Sequence, residues 1–299
     1  MNSPARCKAF RSLLSSSCVM IPGAFNGLSA RLAAQKGFEA LYVSGAAITA
    51  SYGTPDIGLM TQDYFAAKIK EVSVASGLHV LADADTGFGE EEMVAKTVKE
   101  FYFHGASGLH IEDQVFPKRC GHLDGKALVP AEQMADKIRF ARKASGQVSE
   151  GQFVICARTD AKGVLGLEET IRRSKLFIDA GADMIFPEGL ASKEEFALVA
   201  RELKAHNPNV FLLANMTEFG KTPYLKLDEF AAMKYNCVIY PVSTLRVAMK
   251  AVDSFLDDLK ANGGQEGSLE AMQTRKELYS ALRYKPGEPW EYPDQIKKN

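Results

Sequence analysis

Acidic residues follow the ends of two neighbouring candidate strands. Asp83 and Asp85 lie two positions apart, so on extended backbone both side chains can point the same way. Glu112 ends the next apolar run, and Asp56 lies in a loop further upstream. Carboxylates that meet at one site repel one another unless a cation lies between them, and oxygen ligands without His or Cys favour Mg²⁺ or Mn²⁺ over Zn²⁺. The sequence therefore predicts a magnesium site at these four acids, with helix capping or ion pairing as their alternative roles.

A connection of roughly 15 residues after the fourth strand carries a cysteine between basic residues. Cys120 stands in the string Lys-Arg-Cys-Gly-His, two residues from both Lys118 and His122. Positive neighbours lower the pKa of a thiol and make proton transfer near neutral pH feasible. We therefore predict that Cys120 is an acid–base group on a lid; a nucleophile assisted by a histidine is the weaker alternative.

Residues that could hold an anion follow several of the other candidate strands. Arginine is suited to bidentate recognition of a carboxylate, so two arginines near a metal site imply a substrate with several carboxylates. Arg158 could also pair with Glu188, and the two roles are compatible. The predicted anion-binding residues are Ser44, Gly45, Ala46, Arg158, Glu188, Asn215, Thr217 and Arg246.

Short apolar runs alternate with longer amphipathic ones and must position these side chains. Eight successive strand–helix units predict a parallel sheet with helical crossovers. Polar residues follow nearly every strand, which favours a closed (β/α)₈ barrel of the TIM type over an open sheet, because all strand ends then surround one pocket. The predicted strands are Val19–Pro22, Ala40–Val43, Val80–Asp83, Gly108–Ile111, Val154–Ala157, Met184–Phe186, Val210–Ala214 and Val238–Tyr240.

The remaining segments complete one predicted domain over 1–299. Residues 1–17 contain an N-terminal helix, 18–262 form the barrel, and 263–299 contain a helix from Leu269 to Leu282 and a tail. Glycine after a helix suits a left-handed C-terminal cap. On this basis helices should end before Gly77, Gly105, Gly146 and Gly181.

Composition excludes several classes of protein. Lys and Arg number 36 against 37 acidic residues, which does not indicate a nucleic acid or an anionic membrane as a partner. The five cysteines are scattered and favour a reducing, cytoplasmic setting. No run approaches the roughly 18 apolar residues of a membrane span.

Several strings taken together resemble the isocitrate lyase and phosphoenolpyruvate mutase superfamily, and most closely its members that cleave 2-methylisocitrate. The resemblance covers nearly the whole chain, and Lys-Arg-Cys-Gly-His at 118–122 is its most specific part. The others are Tyr-Val-Ser-Gly at 42–45, Asp-Ala-Asp-Thr-Gly-Phe-Gly at 83–89, Gly-Leu-His-Ile-Glu-Asp-Gln at 108–114, Ala-Arg-Thr-Asp at 157–160, Phe-Pro-Glu at 186–188, Asn-Met-Thr-Glu-Phe-Gly at 215–220 and Met-Gln-Thr-Arg at 272–275.

The resemblance implies a magnesium-dependent carbon–carbon lyase that cleaves (2S,3R)-2-methylisocitrate to pyruvate and succinate. It also implies a homotetramer whose subunits exchange the eighth barrel helix. Asp85 would approach Mg²⁺ directly or through water, with Asp83, Asp56 and Glu112 around it, and Cys120 would donate a proton. The resemblance further assigns Lys118 to catalysis and Gly121 and Arg275 to substrate binding, while the base, Tyr42 or His122, stays open.

Three alternatives remain. Isocitrate lyases usually carry Lys-Lys-Cys-Gly-His on a longer chain, so Arg119 favours the methylated substrate. Phosphoenolpyruvate mutases and oxaloacetate hydrolases lack the thiol string, and the third alternative is an inactive carboxylate-binding barrel. One departure from the family lies at Ala46, where some relatives have glycine; an alanine with positive φ would be strained there.

Overall fold

Eight parallel strands form a nearly closed barrel in the computed structural model, which describes residues 2–119, 125–220 and 222–290. From β2 to β8 each strand pairs with the next one in chain order, and β1 pairs with β8. Between β1 and β2 the barrel is closed by a bridge of Gly23 with Tyr42. The predicted (β/α)₈ fold is confirmed. The strands are β1 Val19–Pro22, β2 Ala40–Val43, β3 His79–Asp83, β4 Gly108–Glu112, β5 Val154–Thr159, β6 Met184–Pro187, β7 Phe211–Asn215 and β8 Cys237–Tyr240.

Helices lie between the strands and at both ends of the chain. Their boundaries follow the caps that the sequence offers, as where Thr61 accepts a hydrogen bond from Tyr64 N at the start of α4 and Gly77 ends it with φ 87°. The helices are α1 Pro4–Ser16, α2 Gly27–Gln35, α3 Gly45–Ser51, α4 Gln62–Ser76, α5 Glu91–Phe103, α6 Ala131–Ser149, α7 Leu167–Asp179, α8 Lys193–His206, α9 Leu227–Ala232, α10 Ser243–Asn262 and α11 Arg275–Leu282. No described helix is both long and apolar enough to cross a membrane.

The barrel interior is apolar at the N-terminal ends of the strands. Phe10 and Leu14 of α1 pack there against inward residues of the strands, among them Ile21 and Leu213. Polar side chains occupy the opposite end, where the strands stop. This division directs the chemistry to the C-terminal face of the barrel.

Helix α3 was not predicted from the sequence, which assigned Ser44, Gly45 and Ala46 only to anion binding. Ser44 caps this helix by accepting a hydrogen bond from Ala47 N (3.3 Å). Ala46 lies in its first turn, and its φ is not positive. The substitution of alanine for glycine at this position therefore introduces no backbone strain.

Two predicted helix ends are also wrong. Helix α6 runs through Gly146 to Ser149, and Glu150 caps it in a left-handed conformation with φ 56°. The predicted C-terminal helix is interrupted, because a 3₁₀ turn at Glu266–Ala271 precedes α11. Thr274 and Glu277 form a capping box that fixes the start of α11.

Candidate active site

A cavity of about 100 Å³ lies where the strands end, and most of the predicted site residues line it. A larger cavity of about 840 Å³ lies beside α4, α5 and α6, but no predicted site residue lines it. The smaller cavity is therefore the candidate active site. Its lining includes Tyr42, Ser44, Ala46, Asp56, Asp83, Lys118, Arg158, Phe186, Glu188, Asn215, Thr217, Pro241 and Arg246.

Asp83 is fixed at the end of β3 by backbone donors. Its carboxylate accepts hydrogen bonds from Gly45 N and Asp85 N, both at 2.9 Å. A side chain at position 45 would meet this carboxylate, since a Cβ there would lie 2.9 Å from Asp83 Oδ2. The Gly45 N–H is thus used by Asp83, which corrects the expectation that it is free to hold a substrate carboxylate.

Asp85 and Asp56 share one ammonium group. Lys118 Nζ lies 2.7 Å from Asp85 Oδ1 and 2.5 Å from Asp56 Oδ1. Burial raises the pKa of Asp85 to about 7 even though Lys118 acts in the opposite direction. Burial lowers the pKa of Lys118, but Asp85, Glu112 and the other nearby acids outweigh it and hold that pKa well above its usual range. The lysine is therefore protonated and supplies a positive charge to this group of acids.

Glu112 is the acid of the site whose carboxylate lacks hydrogen bonds to the described residues. Its side chain is 2% exposed, and neither carboxylate oxygen makes a hydrogen bond within the described part of the chain. Arg158 Nη1 lies 3.2 Å from Oε2 and is its ion-pair partner. Burial raises the pKa of Glu112 well above its usual value, against the attraction of Arg158. Such an arrangement is costly unless a further cation or ligand uses the free oxygens.

Tyr42 contacts a histidine that sequence reasoning did not select. Tyr42 Oη lies 2.7 Å from His110 Nε2 and 3.4 Å from Asp83 Oδ2, and all three side chains are buried. His110 Nδ1 makes no hydrogen bond to a described residue. A proton on Nδ1 would leave a buried donor unpaired, so the tautomer protonated at Nε2 is favoured and His110 donates to Tyr42. The phenolic proton is then free for Asp83 or a ligand.

Arg158 is held at the cavity by three acids and an aromatic ring. Asp160 accepts hydrogen bonds from Nε (2.9 Å) and Nη2 (3.2 Å), and Glu188 Oε2 lies 3.7 Å from Nη2. The guanidinium lies over the Phe186 ring at 5.1 Å. The expected pair of Arg158 with Glu188 is thus present, while Asp160, its closest partner, was missed.

Of the remaining predicted residues, some line the cavity, one lies away from it, and three lie outside the described residues. Asn215 Nδ2 donates to Glu188 Oε2 (3.1 Å), and its Oδ1 has no hydrogen-bond partner in the described segments. Arg246 is half exposed near Glu218. Arg275 is exposed at the start of α11 and does not line the cavity, so within one chain the structure does not bring it to the site. Cys120, Gly121 and His122 lie outside the described residues.

The chemistry of the acids fits a hard divalent cation. Glu112 Oε1 has no hydrogen-bond partner among the described residues, while Asp85 Oδ1 and Glu112 Oε2 have only their ion pairs with Lys118 and Arg158. All of these candidate ligand atoms are carboxylate oxygens. No three His, Cys, Asp or Glu side chains within residues 2–119, 125–220 and 222–290 form a ready-made metal site. Mg²⁺ commonly binds through one or two carboxylates, water and substrate, so a complete protein cage is not required. The magnesium site stays a prediction.

Comparisons with known proteins agree with the fold. The family described as phosphoenolpyruvate phosphomutase matches residues 10–260. The chain is 48% identical over 280 residues to a protein named probable 2-methylisocitrate lyase 1 from Corynebacterium glutamicum, covering 93% of this chain and 90% of that one. It is 45% identical to a 2-methylisocitrate lyase from Bacillus subtilis, covering 92% and 88% of the two chains.

Two solved structures extend this similarity. A crystal structure of a 2,3-dimethylmalate lyase, described as a member of the phosphoenolpyruvate mutase/isocitrate lyase superfamily, superposes with a TM-score of 0.86 at 36% identity and covers 94% of this chain and 92% of that one. A phosphonopyruvate hydrolase in complex with oxalate and Mg²⁺ gives a TM-score of 0.81 at 28% identity, covering 92% and 94%.

Proposed function

The chain belongs to the phosphoenolpyruvate phosphomutase family, and on that premise we propose that it is a magnesium-dependent lyase that cleaves (2S,3R)-2-methylisocitrate to pyruvate and succinate. The observation that carries this proposal is the meeting of buried carboxylates with Arg158 in one cavity at the C-terminal face of the barrel. A site that offers both a cation and an arginine suits a substrate with several carboxylates. Similarity to two proteins named 2-methylisocitrate lyase over about nine tenths of the chain supports the choice of substrate.

Asp85 and Glu112 are buried acids whose oxygens have few partners beyond the ion pairs with Lys118 and Arg158, and we propose that they hold Mg²⁺, directly or through water, with Asp83 and Asp56 around it. The oxalate–Mg²⁺ complex of the phosphonopyruvate hydrolase supports this cofactor. The bound ion would act as a Lewis acid on the substrate hydroxyl and its neighbouring carboxylate.

The side chains of this protein then bind the substrate and move its protons. Arg158, with Asn215, Thr217 and Arg246, holds the carboxylates of the succinyl part, and Ser44 with Ala46 holds the keto-acid part. A base removes the hydroxyl proton, the carbon–carbon bond breaks, and pyruvate leaves with the new carbonyl group. The electron pair of the broken carbon–carbon bond remains on the succinate carbon, and the thiol of Cys120 supplies a proton to that carbon.

Tyr42 and His122 remain the two candidates for the base. Burial and Asp83 both raise the pKa of Tyr42 well above its usual value. A phenolate at this position therefore needs the positive charge of a bound cation. In its neutral form Tyr42 instead donates its proton to a substrate oxygen, and His122 takes the role of base.

Helix α10 supports the proposed homotetramer. Along its 20 residues only Leu245 is buried, while Val247 is 73% exposed and Leu256 55% exposed. Exposed apolar surface of this extent is a common mark of a protein interface. We propose that another subunit covers this helix and that the enzyme acts in the cytoplasm, where the unpaired Cys7, Cys18, Cys156 and Cys237 stay reduced.

A coupled assay tests the function. Purified protein is supplied with 2-methylisocitrate and Mg²⁺, and released pyruvate is followed with lactate dehydrogenase; parallel reactions receive isocitrate, with glyoxylate as the product. We expect turnover of the methylated substrate, loss of turnover with EDTA and in Asp85→Asn, and normal turnover in Asp179→Asn, which alters an exposed aspartate outside the site. Preference for isocitrate, or turnover that survives EDTA, would contradict the proposal.

A further inference from the structure

Asp160 forms ion pairs with two cationic side chains, Arg158 and Lys126, that lie in different segments of the chain. Its carboxylate is fully buried and receives hydrogen bonds from Arg158 at both oxygens. On its Oδ1 it also accepts a hydrogen bond from Lys126 Nζ at 2.9 Å. One carboxylate thus holds the substrate arginine on one side and a lysine on the other.

Lys126 lies in the C-terminal end of the connection between β4 and α6, which carries the thiol string. Residues 113–119 are called the outgoing root of this connection and residues 125–129 its returning root. Val115 N donates to Ala127 O (2.8 Å), and Val129 N donates to Asp113 O (3.0 Å), so the two roots of this connection pair side by side. At the outgoing root, the side-chain amide of Gln114 binds the backbone of Arg119 through both its oxygen and its nitrogen. Lys126 is therefore the contact between the returning root and the carboxylate at the end of β5.

Asp160 is itself fixed by a second buried aspartate. Asp113 accepts hydrogen bonds from Asp160 N (2.9 Å), Thr159 Oγ1 (2.7 Å) and Arg173 Nη1 (3.0 Å). All four residues are buried, and Arg173 reaches this point from α7. The backbone at Asp160 is therefore held in place, which limits how far its carboxylate can follow either cation if one of them moves.

We propose that Asp160 is a positioning residue that couples residues 125–129, through Lys126, to the orientation of Arg158. This inference rests on the proposed function, because Arg158 and Cys120 act on one substrate there. A fixed carboxylate holds Arg158 ready for a substrate carboxylate and keeps the returning root close to the cavity. Without it, Arg158 and Lys126 would be two neighbouring buried cations that repel each other, and the root would move outward.

The kinetic test separates the two contacts. In Lys126→Met the pair of Asp160 with Arg158 survives, so we expect kcat to fall about tenfold or more while KM stays within about twofold. In Asp160→Asn both contacts weaken, so KM should rise about tenfold as kcat falls. Lys162→Met is the matched control, because Lys162 also follows β5 but pairs with Glu195. A purely structural role would lower thermal stability without this split between kcat and KM.

Limited proteolysis tests the coupling without turnover. Trypsin cleavage after Arg119 should be about threefold or more faster in Lys126→Met and Asp160→Asn than in the wild type, and unchanged in Lys162→Met. The proposal would be overturned if both the rate of trypsin cleavage and kcat of Lys126→Met matched those of the wild type. This outcome decides the question even if Asp160→Asn does not fold. A wild type that cleaves no 2-methylisocitrate would refute the proposed function, while proteolysis would still decide whether Asp160 holds the connection.

Discussion

Lys118 places its ammonium nitrogen 2.7 Å from Asp85 Oδ1, at the acid that is proposed to approach the metal. The same nitrogen also contacts Asp56, and its side chain is almost fully buried. The lysine therefore balances the negative charge of the acids in the structure as it stands. A divalent cation must either displace this ammonium group or share the carboxylates with it.

Replacing Lys118 should show whether its ammonium group and Mg²⁺ compete for the same carboxylates. In Lys118→Met, the buried Asp85 and the partly buried Asp56 lose their cation, which should lower the free energy of unfolding of the EDTA-treated protein by about 3–5 kcal/mol. Added Mg²⁺ should then raise the melting temperature more than it does in the wild type. Thermal unfolding against Mg²⁺ concentration measures both effects, with Lys162→Met as the control. An equal Mg²⁺ response in variant and wild type would show that lysine and metal do not compete.

Glu112→Gln should separate stability from activity. The neutral amide removes a buried charge, and Arg158 keeps Asp160 and Glu188 as partners, so the metal-free protein should be unchanged or more stable by about 1 kcal/mol. Turnover should fall by about 100-fold or more if this acid serves the cation. Chemical unfolding and the pyruvate assay measure the two quantities. A destabilised but active variant would mean that Glu112 serves only to hold Arg158.

Cys120→Ser tests the proposed proton donor. A serine hydroxyl is a far weaker acid than a thiol, so we expect kcat to fall by about 100-fold to 10,000-fold. The Mg²⁺-dependent rise in melting temperature should remain, because the metal ligands are unchanged. Cys18→Ser, at a half-buried thiol outside the cavity, is the control. Turnover near the wild-type rate would remove Cys120 from the mechanism.

The barrel could be predicted from the sequence because its strands are short, apolar and regularly separated. All eight lie within about two residues of their predicted positions at each end. Helix α3 could not be recognised as easily, because it has only seven residues and begins with Gly45, and because Ser44 was interpreted as an anion ligand instead of a cap. Gly146 was misleading for the opposite reason: a glycine inside a long amphipathic helix need not end it.

The site could be predicted where a residue type and the end of a strand coincide. Asp83, Arg158 and Glu188 satisfy both conditions, and they meet in one cavity. His110 was missed although it lies two residues before Glu112 on β4, and alternation along the strand would have placed both side chains on the same face. Arg275 was assigned by resemblance alone, and no pattern in the sequence shows how α11 packs.

His79 should make stability depend on pH. Burial lowers its pKa to about 4, and Arg6 adds to this effect. Because the unfolded state binds this proton more readily, stability should fall as pH drops from about 6.5 to 4, by at most about 3 kcal/mol. His79→Gln should reduce this slope in urea unfolding measured across that range, whereas His206→Gln, at an exposed site, should not. Identical slopes in wild type and His79→Gln would contradict the assignment.

An acidic residue on α10 should change the oligomeric state. Val247 is the most exposed apolar residue of this helix, and Val247→Asp would place a charge in the surface that another subunit is proposed to cover. Burying that charge without a partner is unfavourable, so the native mass from light scattering should drop from that of a tetramer. Leu165→Asp is the matched control, because Leu165 is equally apolar and 55% exposed but lies in the connection after β5. A tetramer that persists in Val247→Asp, or a monomeric wild type, would exclude α10 from subunit contacts.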